Sequence, residues 1–437
     1  MEAARSFLGD ARGRLLPPSI PLRFFGAAAI LHLLAWLALA AGAAQAVEFQ
    51  GGLGWPLGSL HLITLGVLVM TAIGASLQLL PVATRQAMAA PHWLATLWWT
   101  YTIGVVALTT AMTLVRPALL AVAAAGLVLV LTAYAALLAS NLARGRGMTV
   151  VLVHGWAALA CLVGLLSSGL SLAATYRGLG FLDHGAALRL HVSLAAYGFM
   201  GLLALGLSHI LLPMFALAAA PAQPPSLVSA ALVIAGLVLM TATSVGALPE
   251  SAASVAIGCG LGGLALHVAL MERAVRTGMR RRLGRPFWLI RLGWAALAAS
   301  LLVALALDAG AGFARLRPLF VVLLVGGLLS FLLGVMSRIV PFLASMHAPP
   351  GRRGPPMPSA LTSERALAWH FTCHVGALAL LVAAVIADSA WLARAAGLLG
   401  SGGAIAFGAF FVHAWRRMRA APSLPRHETV KTSKPVP

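Results

Sequence analysis

The chain has 437 residues, 61% of them hydrophobic and only 9% charged, with a mean hydropathy of +0.95. That composition excludes both a water-soluble globule and a disordered chain, since too much apolar surface would be left facing water. A net charge of +20 would suggest nucleic acid in a soluble protein. Here the basic residues sit between apolar stretches, so the expected partner is the lipid bilayer and not nucleic acid.

Twelve apolar stretches are long enough to cross a bilayer as helices. They lie near 22–44, 59–81, 93–115, 117–140, 149–173, 187–217, 225–246, 251–271, 288–307, 317–343, 366–387 and 391–415. The first is followed by Ala43-Ala44-Gln45-Ala46, which resembles a cleavage site, but its apolar region is too long for a signal peptide and reads as an uncleaved anchor. The second carries Gly66-x7-Gly74-x6-Pro81. The same frame returns in the sixth span as Gly198, Gly206 and Pro213, and in the tenth as Gly326, Gly334 and Pro341. Self-similarity at a fixed period marks repeated structural units. The expectation is one integral membrane domain over 1–437, with units of about 20–145, 146–283 and 284–417 and function between them. On a regular α-helix the second glycine lies about 80° and the proline about 60° around from the first. All three therefore share a face on which a neighbouring helix can approach closely.

The connection from Glu272 to Phe287 is strongly basic and reads as a topology determinant or a contact with anionic headgroups. Residues 345–363 read as a flexible loop and 420–437 as a disordered tail. With the N-terminus inside, 22 of the 30 basic residues fall on the inner side and six on the outer, so both termini are expected in the cytoplasm. Cys161, Cys259 and Cys373 all lie in spans and form no Cys-x-x-Cys, so neither a disulfide framework nor a thiolate metal site is expected.

Ionisable residues inside a bilayer are costly and are candidate functional groups. The chain has 13 histidines. His32, His61, His154, His191, His209, His370 and His374 lie within spans or at their rims, whereas carboxylates are nearly absent from the spans, which argues against a carboxylate proton relay. Imidazole is a common ligand for heme iron and for copper. His61 opens the second span about 140° away from the glycine stripe and should face a different neighbour. Ser193 and Val321 stand at the matching positions of the other copies. His191 and His209 fall on the glycine face of the sixth span, roughly 27 Å apart along the helix, and belong to an outer and an inner layer. A paired His61 and His191 would need the two helices to present different faces, which the repeat does not indicate. His370 and His374, at i and i+4, share a face of the eleventh span; they suit joint ligation of a metal, or plain hydrogen bonding. Arg338, near the end of the tenth span, calls for an anionic partner such as a heme propionate or phosphate, or snorkels to the surface. His209, Arg338, His370 and His374 are expected to converge in an inner layer around the repeat axis.

His61-x4-Gly66-x7-Gly74-x6-Pro81 resembles the second membrane helix of the NnrS proteins and, more loosely, of the nitric oxide reductase branch of the heme-copper oxidases. Gly334-Val335-Met336-Ser337-Arg338 is similar to the Gly-Val-Met-Thr-Arg of the tenth NnrS helix, and Pro21-Leu22-Arg23-Phe24-Phe25 to that family's Arg-Pro-Phe-Phe opening. The resemblance implies an oxidase-core-like, all-α polytopic fold of twelve transmembrane helices in three pseudo-symmetric four-helix arcs. It also implies a bacterial inner-membrane location and His61 as an axial ligand of heme b. Val321 stands where the family's tenth helix has a histidine, the seventh span has none, and His209 is offset from the oxidase copper position, so no oxygen-reducing centre is expected. The leading expectation is a heme-binding protein serving respiration or nitric oxide defence, with respiratory or metal-handling membrane proteins as partners and copper as a second candidate ligand. A secondary transporter or exporter and a metal or heme assembly factor are the alternatives.

Overall fold

The computed structural model describes residues 16–88, 91–280, 282–311, 315–349 and 355–420. Twelve helices among them are long and apolar enough to cross a membrane: α1 Ser19–Ala41, α2 Trp55–Thr84, α3 Leu94–Thr113, α4 Pro117–Ala143, α5 Thr149–Thr175, α6 His184–Ala216, α7 Gln223–Ser244, α8 Ala252–Thr277, α9 Arg285–Asp308, α10 Leu316–His347, α11 Glu364–Ala387 and α12 Ala390–Ala420. The chain is 84% helical, without a strand among the described residues. This is the fold that a bilayer dictates, because a helix satisfies its own backbone groups where no water is present. The protein is an all-α, multi-pass membrane protein.

α2, α6 and α10, which carry the repeated glycine and proline frame, form the interior. They are 67, 78 and 61% buried over their most apolar windows, against at most 56% for any other span. They touch one another, and the other nine helices surround them in the contact order α1, α3, α4, α5, α7, α8, α9, α11, α12 and back to α1. The end at which α1 begins is called proximal below, and the opposite end distal.

The middle glycine of each frame packs against the preceding helix. A Cβ at Gly74 would lie 2.8 Å from Phe24 on α1, at Gly206 2.6 Å from His154 on α5, and at Gly334 2.5 Å from the Pro286 carbonyl on α9. The middle glycine therefore seats each inner helix on its predecessor, while the first glycine does so in α2 and α6 but faces Leu378 of α11 in α10.

Regular α-helical phase does not hold throughout. Leu62–Val69 in α2 and Ser193–Gly201 in α6 are π-helical, whereas α10 is α-helical from end to end. π-segments often mark functional positions. α2 and α6 also end alike, at Arg85 and Leu217 in the left-handed conformation (φ 56° and 53°), while α10 runs on to His347.

The expected loop at 345–363 is more ordered than its composition suggests. Its first residues extend α10, Pro358–Leu361 forms a 3-10 turn, and Ser345 Oγ donates to the Pro356 carbonyl (2.6 Å). The proposed tail beyond Ala420 lies outside the described residues, as do Arg281, Arg352, Arg353 and the N-terminal basic residues through Arg14. The three cysteines are free.

Candidate functional site

Eight intramembrane histidines gather into three separate groups, and none of the groups contains a carboxylate. The distal group is a pair. His61 and His191 each sit about two turns into their helices, immediately or almost immediately before a π-segment. Their rings lie 6.2 Å apart between centroids and 26° from parallel. His61 does face a different neighbour from the glycine stripe, as its position implied, since Gly66 meets Leu31 on α1 while the imidazole meets α6. The repeat, taken with regular α-helical phase, does not indicate this pairing. Regular phase assumes 3.6 residues per turn, and the wider π-turn changes the phase between each histidine and its glycines.

His61 Nδ1 donates to the Leu57 carbonyl at 3.0 Å, because a carbonyl can only accept. Its lone pair is then on Nε2. A histidine anchored in this way presents the free nitrogen that a metal needs, with its orientation held by the other. His191 packs on α5, where a Cβ at Gly169 would come within 3.1 Å of its ring, and its Nδ1 has no hydrogen-bond partner.

The proximal group is His154 on α5, His209 on α6 and His267 on α8, with centroids 5.8 Å apart for the first two and 5.3 Å for the last two. His154 Nδ1 donates to the Val150 carbonyl (2.7 Å) and His267 Nε2 meets Ser208 Oγ (3.0 Å). Both ring nitrogens of His209 are buried without a partner. The third group joins His32 on α1 to His370 and His374 on α11, with centroids 6.3 Å apart for His32 and His370 and 5.7 Å for His370 and His374.

The anticipated single inner layer is thus divided. His209 belongs to one cluster and His370 with His374 to another. Arg338 belongs to neither: its guanidinium donates to the Leu283 carbonyl, with Arg280 and Glu364 as the charged groups near it. The carbonyl satisfies part of the guanidinium, while its Nε is buried without a partner. Arg291, the other arginine inside a span, holds Glu272 of α8 through two bonds of 2.7 and 2.9 Å and lies 5.5 Å from the Trp288 ring. The lone acid of that region was the signal for this pair.

His267 was overlooked although it lies in an apolar span, and His32 and His154 were noticed without a role. Their relevance comes from which helices touch, and spacing along one helix does not carry that information. Among the described residues, no three His, Cys, Asp or Glu side chains stand close enough together to hold a metal ion. For the distal pair the question is two nitrogens and not three. Two imidazole nitrogens each about 2 Å from one metal would place their ring centroids roughly 6 Å apart, close to the separation of these two rings.

No protein-family model matches the chain, and no curated protein is significantly similar to it.

Proposed function

We propose that this is a heme-binding membrane protein of the oxidase-like type, with His61 and His191 as the axial ligands of a b-type heme near the distal face. The observation that carries the reading is the meeting of these two imidazoles, 6.2 Å apart, from different helices at the ends of two π-segments. The NnrS-like frame around His61 supports it independently. Held by both rings, a heme would supply one-electron transfer. The chain's own residues would orient it: the Leu57 carbonyl fixes the His61 ring and α5 backs the His191 ring. The expected role is electron transfer linked to respiration or nitric oxide defence, without oxygen reduction. We place the protein in the bacterial inner membrane with both termini cytoplasmic, on the weight of basic residues at the proximal end. A reporter fused after Met279 should read cytoplasmic.

The test is a reduced-minus-oxidised spectrum of the purified protein. Wild type should show a low-spin b-type signal, His61→Ala should abolish it or shift it to high spin, and Val321→Ala should leave it unchanged. Protein purified from heme-replete cells without a heme signal would overturn the reading. An assembly factor would share the ligands but give heme up to an acceptor membrane protein on mixing, which a resident electron carrier would not.

A further inference from the structure

A neutral imidazole carries one N–H and one lone pair, and a partner that can only donate or only accept decides which nitrogen holds which. This rule fixes His32 and His370, and the back-bond of its serine partner fixes His374. The Trp36 indole only donates, and its Nε1–H reaches His32 Nε2 at 2.9 Å; His32 therefore carries its hydrogen on Nδ1. The Gly403 carbonyl only accepts, and it meets His370 Nδ1 at 3.0 Å; the His370 lone pair is on Nε2. Ser330 has one hydroxyl hydrogen and gives it to the Gly326 carbonyl at 2.7 Å, a back-bond that serines in helices commonly form. Its 2.9 Å contact with His374 Nε2 then uses a hydroxyl lone pair. The His374 hydrogen is on Nε2 and its lone pair on Nδ1.

What remains is one donor, His32 Nδ1–H, and two acceptors, His370 Nε2 and His374 Nδ1. All three atoms are buried without a partner in the protein, in side chains only 1% exposed. Buried polar atoms are rarely left alone. The rings do not bond to each other directly. A cation is a poor match, because one of the three rings turns a hydrogen toward it and no carboxylate offsets its charge. A molecule that accepts one hydrogen bond and donates two completes the set.

We propose that His32, His370 and His374 bind one water-sized neutral molecule of this kind, water or ammonia. A cavity of about 10 Å³, on the order of what one water needs, lies beside the His32 ring and is lined also by Phe25, Val67, Thr71, Met336 and Phe407; His370 and His374 do not line it. The site is built by α12 as well. A Cβ at Gly400 would lie 2.2 Å from the Trp36 indole, and one at Gly403 3.0 Å from Cys373 Cβ, so glycine at both positions lets the indole and the carbonyl reach the histidines. The bound molecule joins α1 and α11, and through Ser330 the inner helix α10, in one hydrogen-bonded network.

Solid-state NMR of the full chain, labelled with 15N-histidine in ammonium-free lipid vesicles, tests this directly. Hydrogens are expected on His32 Nδ1, His370 Nδ1 and His374 Nε2, with proton cross-peaks from bound water to His370 Nε2 and His374 Nδ1. If ammonia is the occupant, those cross-peaks arise only after 15N-ammonium chloride is added at alkaline pH. Trp36→Phe should let the His32 hydrogen populate both ring nitrogens, and His32→Phe should remove the cross-peaks. No cross-peak under either condition would overturn the proposal. So would His32 carrying its hydrogen on Nε2, or one tightly held metal ion per chain that disappears in His370→Ala.

Discussion

α2 and α6 differ from α10, although the three share a glycine and proline frame. The first two carry a distal histidine, a π-segment beside it and a left-handed terminal residue. α10 has Val321 at the position matching His61, no π-segment, and a longer course ending at His347. Its middle glycine also packs differently. A Cβ at Gly334 would meet the Pro286 carbonyl of α9, and Gly327 and Gly293 bring the same two backbones together, whereas Gly74 and Gly206 meet the side chains of Phe24 and His154. The first glycines behave alike, Gly66 on Leu31 and Gly326 on Leu378. Close backbone packing in lipid favours a regular helix whose small residues stay in register. A helix that must aim a functional side chain tolerates an extra residue in its turn. α10 has the packing frame alone, whereas α2 and α6 combine it with a histidine and a π-segment.

The most severe way to break this comparison is to remove one residue from a π-segment. Deleting Val67 should restore α-helical phase in α2 and turn His61 by about 100° away from His191. If heme is bound there, the deletion should cost as much of the low-spin signal as His61→Ala does. The same signal in the deletion variant would show that the π-segment does not aim the histidine.

A smaller effect separates the packing glycines. Gly334→Ala drives a Cβ into the Pro286 carbonyl, 2.5 Å away, and overpacking of this kind costs about 1–3 kcal/mol. Gly66→Ala meets Leu31 at Cδ1 (3.0 Å) and Cβ (3.1 Å), a milder overlap than that with a backbone carbonyl, and should cost less than Gly334→Ala. Thermal unfolding in detergent checks the order; an equal loss in both would place α2 and α10 in the same packing class.

How much of this was readable beforehand follows from the physics of each feature. Every span was legible, because a run such as 317–343 has to be apolar to cross lipid at all. The repetition of units was legible in the shared frame. That the helices carrying it form the interior was not, since a glycine stripe shows that a neighbour approaches and not how many neighbours surround the helix. The encounter of His61 with His191 was not legible, because extrapolating 100° per residue through a π-turn misplaces the ring. The split between His209 and His370 was hidden for another reason: membership of a cluster depends on α8 touching α6 and α1 touching α11, which no single-helix spacing encodes. Arg338 was read as needing an anion because a backbone carbonyl such as that of Leu283 leaves no mark in a residue list.

The mildest test concerns how the two histidine-bearing helices begin. α6 is capped by Asp183, whose carboxylate accepts from Ala186 N–H at 2.9 Å, while α2 starts at Gly54 with no side-chain cap. That bond, followed by other backbone N–H groups and Arg189, holds the Asp183 carboxyl below its ordinary value. A carboxyl depressed in the folded state stabilises it above the unfolded pKa, and the contribution is lost as pH falls through the folded value. Below the ordinary carboxylate range, then, the first turn of α6 should lose protection against amide exchange, measured relative to the intrinsic rate at each pH, and Asp183→Asn, which keeps an N-cap oxygen, should remove most of that loss. Because His191 lies two turns further on and is held by α5, the spectrum of any bound heme should not change. Protection at Ala186 and Ala187, followed against pH in wild type and variant, decides it. Protection that does not change with pH would show that the cap does not order α6, and a heme signal that moved with it would tie the distal pair to the helix end instead of to the packing behind it.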